Sequence, residues 1–326
     1  MAELTLVEAV TLALARAMEE DERVLVLGED VGVDGGVFRA TAGLIERFGA
    51  ERVRDTPLAE AAIAGVSVGL AAQGFRPVGE IQFMGFIYPA LDQMVNHAAR
   101  LRTRTRGRLS CPMVLRAPYG GGIKAPEHHS ESMEALFAHV PGLRVVIPSS
   151  PARAYGLLLA AIRDPDPVVF LEPKRIYRAL REEVADTGEA LALDRCFALR
   201  EGADVTLVTW GAMTVETLQA AETLAGEGIS AEVIDVATLK PLDADTILAS
   251  VERTGRCVVV QEAPLTGGFG AEIAARLADG ALTSLLAPVR RVAGYDTVMP
   301  LPRTEHRYMP SAARIAAAVR KVMEFT

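Results

Sequence analysis

Continuous apolar runs of strand length, separated by helical stretches, recur along this chain and constrain its fold more than any other feature. Residues 23–27, 77–81, 113–116, 143–147 and 167–171 are strand candidates, with helices expected at 59–73, 87–104 and 152–163. A strand that is apolar throughout, and not only at alternate positions, is buried on both faces, which is the pattern of a parallel sheet covered by helices. The chain enters this block through Thr5-Leu6-Val7-Glu8, a capping-box pattern. It opens a helix to about Glu20 whose buried face carries Leu6, Val10, Leu14 and Ala17. The rhythm fails between Lys174 and Cys196, where charges without a period read as a linker. It then resumes with strands at 205–210, 231–236, 257–261 and 289–292 and helices at 215–226, 244–253, 269–277 and 312–325. A chain of 326 residues is long for one core and comfortable for two. The expected architecture is α/β, with two parallel-sheet domains at 1–185 and, smaller, at 196–326.

Charge and composition narrow the function. With 42 acidic and 34 basic residues the net charge is −8, which gives no electrostatic reason to bind nucleic acid or an anionic membrane. No apolar run approaches the ~20 residues of a membrane span, and Met1-Ala2-Glu3-Leu4-Thr5 lacks the basic and apolar blocks of a signal peptide. Cys111, Cys196 and Cys257 are scattered and form no CxxC pair, so a reducing cytoplasm is expected and a disulfide framework is not.

Single motifs decide little. Gly267-Gly268-Phe269-Gly270 follows a strand and opens a helix, but Ile273 stands where a dinucleotide fingerprint needs its third glycine. A tight turn into a helix is the better reading. His128, His129 and His139 lack the converging partners of a zinc site. A histidine in a loop that opens with Gly120-Gly121-Gly122 suits proton transfer near neutral pH. In Asp55-Thr56-Pro57-Leu58-Ala59-Glu60, Thr56 is the expected N-cap and Pro57 the first helical residue. Glu60 then sits in the first turn of what reads as a buried, apolar helix, an awkward place for a charge without a partner.

Taken together, these segments resemble the β chain of 2-oxo acid dehydrogenase decarboxylases, the component that pairs with an α chain in the pyruvate and branched-chain complexes. The resemblance runs nearly end to end. It is carried by Leu27-Gly28-Glu29-Asp30-Val31, by Asp55 to Glu60, by Glu80-Ile81-Gln82-Phe83, by Ile87-Tyr88-Pro89-Ala90-Leu91-Asp92-Gln93 and by His129-Ser130-Glu131-Ser132. Pro141-Gly142-Leu143-Arg144-Val145-Val146-Ile147-Pro148, Ile162-Arg163-Asp164-Pro165-Asp166-Pro167, Thr238-Leu239-Lys240-Pro241-Leu242-Asp243 and Gln261-Glu262-Ala263 continue it.

The resemblance implies a transketolase-like fold, a pyrimidine-binding domain followed by a smaller C-terminal domain. It also implies thiamine-diphosphate-dependent oxidative decarboxylation of a 2-oxo acid, with acyl transfer to the lipoyl group of an acyltransferase core. Glu60 matches the glutamate that hydrogen-bonds N1′ of the cofactor's aminopyrimidine and so promotes loss of the thiazolium C2 proton. Leu58, Gln82 and Phe86 match positions lining the aminopyrimidine. His129 matches a histidine that moves protons during reductive acylation of the lipoyl group. Met113, Ala161, Ile162, Asp164 and Asp166 match a loop that holds a potassium ion in some relatives. Glu131 departs from the usual glutamine, and a carboxylate there is expected to raise the pKa of His129. The Gly-Asp-Gly…Asn motif for magnesium and the diphosphate is missing from the sequence. The resemblance therefore implies that an α subunit supplies magnesium, in an α2β2 heterotetramer. The C-terminal domain is expected to serve assembly more than chemistry. Residues 295–326, with Asp296, Glu305 and Glu324, are the expected surface for the acyltransferase core. An acetoin-cleaving dehydrogenase β subunit and a non-catalytic transketolase-like scaffold are the alternatives. A self-contained transketolase would need the diphosphate motif and about twice the length.

Overall fold

The structure, a computed structural model, describes residues 2–325. Its chain divides into two compact units. One comprises the residues up to Tyr119 together with Leu136–Leu193. The other comprises Gly120–Ala135 together with the chain from Asp194 onward. The segment Gly120–Ala135 lies within the span expected for the first domain, yet its contacts assign it to the second unit. A boundary drawn along the sequence has no means of moving a loop from one core to the other.

In the first unit β1 (Ala2–Thr5) leads into α1 (Leu6–Glu20). The capping box forms: the Glu8 carboxylate accepts from Thr5 N at 2.7 Å, and Thr5 Oγ1 accepts from Glu8 N at 3.4 Å. Leu6, Val10, Leu14 and Ala17 are all buried. The elements β2 (Val24–Gly28), α2 (Leu44–Phe48), β3 (Val53–Asp55), α3 (Glu60–Ala72) and β4 (Arg76–Glu80) follow. After them come α4 (Tyr88–Asp92), α5 (Leu101–Arg104), β5 (Val114–Tyr119), α6 (Glu134–Ala138), β6 (Arg144–Val146), α7 (Pro151–Arg163) and β7 (Val168–Pro173). The sheet strands run in the order β6-β7-β5-β4-β2-β3, all parallel. Every residue of β5 and β7 is buried, and α1 packs on α7. This is the doubly covered sheet that the continuous apolar runs require.

Three expectations need correction here. The helix expected at 87–104 is broken. A wide turn at Gln93–His97 and a tight one at Ala98–Arg100 separate α4 from α5, and such interruptions do not disturb an apolar period enough to be read from it. The expected linker contains β8 (Arg181–Val184), which pairs antiparallel with β1, Ala2 against Val184 and Thr5 against Arg181. The helix after Asp55 starts later than Thr56 and Pro57 suggest. Its N-cap is Ala59, which makes no side-chain cap, and Glu60 is its first residue.

The second unit holds β9 (Phe197–Arg200), β10 (Val205–Thr209), α8 (Met213–Ala225), β11 (Ala231–Asp235), β12 (Thr238–Lys240), α9 (Ala244–Thr254) and β13 (Cys257–Pro264). It ends with α10 (Gly270–Gly280), β14 (Arg290–Gly294), α11 (Glu305–Tyr308) and α12 (Ala312–Met323). Its five-stranded sheet has the order β14-β13-β10-β11-β9, with only β9 antiparallel. Val205, Leu207, Val233, Val258 and Val260 form its core with Ala220, Leu224, Ile315 and Val319 from α8 and α12. The Gly267 turn is a tight turn into α10: Gly267 is left-handed (φ +68°), and a Cβ at Gly268 would overlap Gln261.

Candidate active site

The strand order of the first unit reverses at β2. The chain leaves β2 for β3 on one side and returns to β4 on the other, so the loops after β2 and β4 diverge. In open α/β sheets ligands bind outside the carboxyl ends of the strands at such a switch point. The strand ends are level, Gly28 pairing with both Asp55 and Glu80. Only glycine fits at 28, because a Cβ would lie 2.8 Å from the Glu80 carbonyl oxygen. Just beyond these ends stand Glu29 and Asp30, then residues 56–60, then Gln82 to Phe86.

Glu60 is half-buried at the start of α3 and Leu58 is 74% exposed. Gln82 Nε2 donates to Asp30 Oδ2 at 2.9 Å, and Asp30 is held in a left-handed conformation (φ 58°). Burial, and then the charges of Asp30 and Glu60, raise the Glu29 carboxyl above its ordinary range. The crevice is therefore rimmed by carboxyl groups that repel one another. Asp55 fixes the loop after β2 by accepting from Gly32 N at 2.6 Å and from Val33 N at 3.2 Å. Phe86 packs edge-on against Phe83 at 6.1 Å, Phe83 against Phe38 at 5.2 Å, and Phe38 against Tyr177 at 5.3 Å.

The expectation that α3 is a buried helix does not hold for this chain alone. Ile63, Ala64 and Ser67 are buried, but Ala61, Ala62 and Gly69 are exposed and Val66 is 52% exposed. A helix apolar all round is built to be covered on all sides. The sequence states that need without saying what meets it.

Behind the crevice lies a network that the sequence reading missed. Arg116 on β5 is wholly buried and pairs with Glu172 on β7 through Nε and Nη2, both at 2.7 Å. Its Nη1 donates to Glu80 at the end of β4, and Tyr177 Oη donates to Glu172. Burial works against the Arg116 charge, but Glu172 and then Glu80 outweigh it and keep the guanidinium protonated. Burial chiefly, with help from Glu172, pushes Glu80 and Tyr177 upward. The signal was present: Glu80, Arg116 and Glu172 interrupt otherwise apolar parallel strands, and buried charges are paired.

His129 lies in the second unit, within the segment Gly120–Ala135. The residue ends a single turn, with His129 N donating to Pro126 O at 3.0 Å and Ser130 N to Glu127 O at 2.9 Å. His128 packs against it, ring centroids 4.5 Å apart. A cavity of about 330 Å³ borders this loop, with Glu131, Ser132, Asp296 and Tyr308 among its walls. Burial, followed by Glu262, Glu131 and Glu134, pushes the Tyr308 phenol well up. Glu305, expected on a docking surface, is instead buried and accepts from Gly122 N and Lys124 N. Asp296 is exposed and accepts from Thr266 N and Oγ1. Thr326, the end of that segment, lies outside the described residues.

The loop matched to a potassium site is tied down by hydrogen bonds and ion pairs within the protein. The carbonyls of Ile162 and Asp164 accept from Arg76 Nη1 at 2.8 and 3.2 Å. Ala161 O accepts from Asp164 N, and Met113 O from Val168 N. Asp164 pairs with Arg144 at 3.0 Å and Asp166 with Arg102 at 2.7 Å. Among the described residues no group of three or more His, Cys, Asp or Glu is placed to hold a metal ion.

Comparison with known proteins divides the chain along its sequence and leaves Gly120–Ala135 in the first part. Residues 2–179 match the family described as transketolase, pyrimidine binding domain, and residues 195–315 match transketolase, C-terminal domain. The pyruvate dehydrogenase E1 component subunit beta of Bacillus subtilis (strain 168) is 51% identical over 325 residues, covering 100% of both chains. That of Acholeplasma laidlawii is 50% identical over 322 residues, covering 99% of this chain and 98% of the relative. A solved structure described as a split gene transketolase, inactive beta4 tetramer, superposes with a TM-score of 0.83 at 25% identity and covers 99% of each chain.

Proposed function

Because the chain belongs to the 2-oxo acid dehydrogenase family, as a transketolase-like E1 β subunit, we propose that it forms one half of an active site whose other half is an α subunit. It is an oxidoreductase component, and thiamine diphosphate dependence comes with the family. When bound, that cofactor supplies the nucleophilic carbon and the electron sink. The chain's own residues hold and orient it.

The observation that carries this reading is the half-buried carboxyl of Glu60 at the sheet's switch point, beside Glu29 and Asp30. A basic aminopyrimidine suits that place, since a hydrogen-bonding heterocycle relieves the mutual repulsion of the carboxyls. Glu60 is assigned the bond to N1′, and Gln82 and Phe86 the flank and face of the ring. Leu58 adds apolar cover from the loop before α3. His129 is assigned to proton transfer in acylation of the lipoyl group.

The open face of α3, continuous with Leu58, is assigned to subunit contact, in an α2β2 heterotetramer. Magnesium is assigned to the α subunit, because the diphosphate needs oxygen ligands. The full-length likeness to pyruvate dehydrogenase subunits favours pyruvate as substrate over branched-chain acids or acetoin. A lipoyl acyltransferase core is the assigned acyl acceptor. A reducing cytoplasm suits the three free thiols, and no helix among the described residues is long and apolar enough to cross a membrane.

Glu60→Gln tests the assignment. In the enzyme reconstituted with its α subunit, decarboxylation is expected to fall at least ~10²-fold, the scale of a positioned proton-transfer group. Exchange of the cofactor's C2 proton, followed by NMR, is expected to slow in parallel. Exchange at the wild-type rate would remove Glu60 from this role.

A further inference from the structure

The loop that carries His129 is stapled to the rest of the second unit by two carboxylates that have no role in the proposed reaction. Gly120 (φ +84°), Gly122 (φ +84°) and Lys124 (φ 59°) are left-handed. Successive amides in such a stretch point into a common hollow and form an anion nest. Here the protein's own carboxylates fill it. Glu305, the first residue of α11, accepts from Gly122 N at 2.8 Å with one oxygen and from Lys124 N at 3.0 Å with the other. Glu262, on β13, accepts from Gly121 N on the outgoing leg and from Ser132 Oγ at 3.0 Å on the returning leg. Gly120 N donates to Glu131 O at 2.9 Å and closes the loop at its base.

There is no room for slack at the stem. A Cβ at Gly120 would lie 2.7 Å from Glu262, and one at Gly121 would lie 2.4 Å from Met299. Both carboxylates are buried, at 3% and 5% exposure, so their bonds to the loop are shielded from solvent competition. Neither belongs to the apolar core of the unit.

We propose that Glu305 and Glu262 are positioning residues for His129, holding the loop Gly120–Ala135 in the shape that presents the imidazole. This rests on the reading that His129 serves the lipoyl step. Two amides facing Glu305 need two acceptor oxygens. Glutamine offers one, and sets an N–H donor against the other amide.

The test uses the reconstituted α/β enzyme with Glu305→Ala, Glu305→Gln and Ser132→Ala, the last removing only a hydroxyl and safe for folding. Three quantities are followed: tryptic cleavage after Lys124, decarboxylation with an artificial electron acceptor, and reductive acylation of a free lipoyl domain. Glu305→Ala is expected to speed cleavage and slow acylation, each about tenfold, the scale of losing a hydrogen bond to a charged group. Decarboxylation should change less than about twofold. Glu305→Gln and Ser132→Ala should fall between it and wild type in both. The proposal is overturned if Glu305→Ala and Ser132→Ala keep wild-type cleavage and acylation while His129→Ala is defective. Equal losses in the two activities with unchanged cleavage also overturn it. If His129→Ala itself acylates normally, the reading of His129 fails instead.

Discussion

The crevice around Glu60 and the loop around His129 are built on opposite principles. The crevice takes its shape from the topology of a parallel sheet, with side chains standing at the ends of strands whose spacing is already fixed. Its charges are mismatched: Glu29, Asp30 and Glu60 are like charges in one place. The loop has no regular scaffold, but its carboxylates are matched, Glu262 and Glu305 each accepting two donors. The first arrangement leaves electrostatic demand for a ligand to satisfy. The second spends its hydrogen bonds on holding its own backbone. The two proposed roles, binding a cofactor and presenting one proton-transfer group, make these different demands.

The comparison breaks hardest at Arg116, which ties the ends of β4 and β7 together behind the crevice. Arg116→Met would leave Glu80 and Glu172 buried without their cation, and breaking a buried pair costs about 3–5 kcal/mol. Thermal unfolding should show that loss, while cleavage after Lys124 in the native protein stays as in wild type. A wild-type melting temperature would mean that the strand ends are held by packing alone.

A smaller effect sharpens the claim of unmet charge. The folded-state pKa of Glu29 is raised, so its ionised form disfavours the fold. Whatever this group lends to stability is present at low pH and is lost as pH rises through the raised pKa. Glu29→Gln should therefore stabilise the isolated chain at neutral pH, by less than about 1 kcal/mol because solvent screens the crevice. The gap should close as pH falls below the ordinary carboxylate range. Melting curves at several pH values measure it, and destabilisation at neutral pH would show that Glu29 has a favourable partner.

How far the sequence reached follows the same line. The parallel sheets, the capping box at Thr5 and the turn at Gly267 were legible, because each rests on local pattern. The start of α3 was not, since Thr56 and Pro57 have the composition of a helix start while Thr56 N is bonded to Gly28 O. The pairing of β1 with β8 escaped because it joins segments nearly the whole first unit apart in sequence. Glu305 looked like an exposed acid in an acidic segment. Its burial depends on amides 181 and 183 positions away. Arg76 on the carbonyls of Ile162 and Asp164 is long-range in the same way, and no motif announces it.

The central claim is that this chain holds only one end of the cofactor. Its residues suit an uncharged aminopyrimidine, and binding through one face leaves too little energy to immobilise a multiply charged molecule. Calorimetry with thiamine diphosphate and magnesium, on the chain alone and with its α subunit, tests this most directly. The account predicts weak binding to the chain alone, and tight, magnesium-dependent binding once the α subunit is added. Micromolar, magnesium-dependent binding to the isolated chain would contradict it.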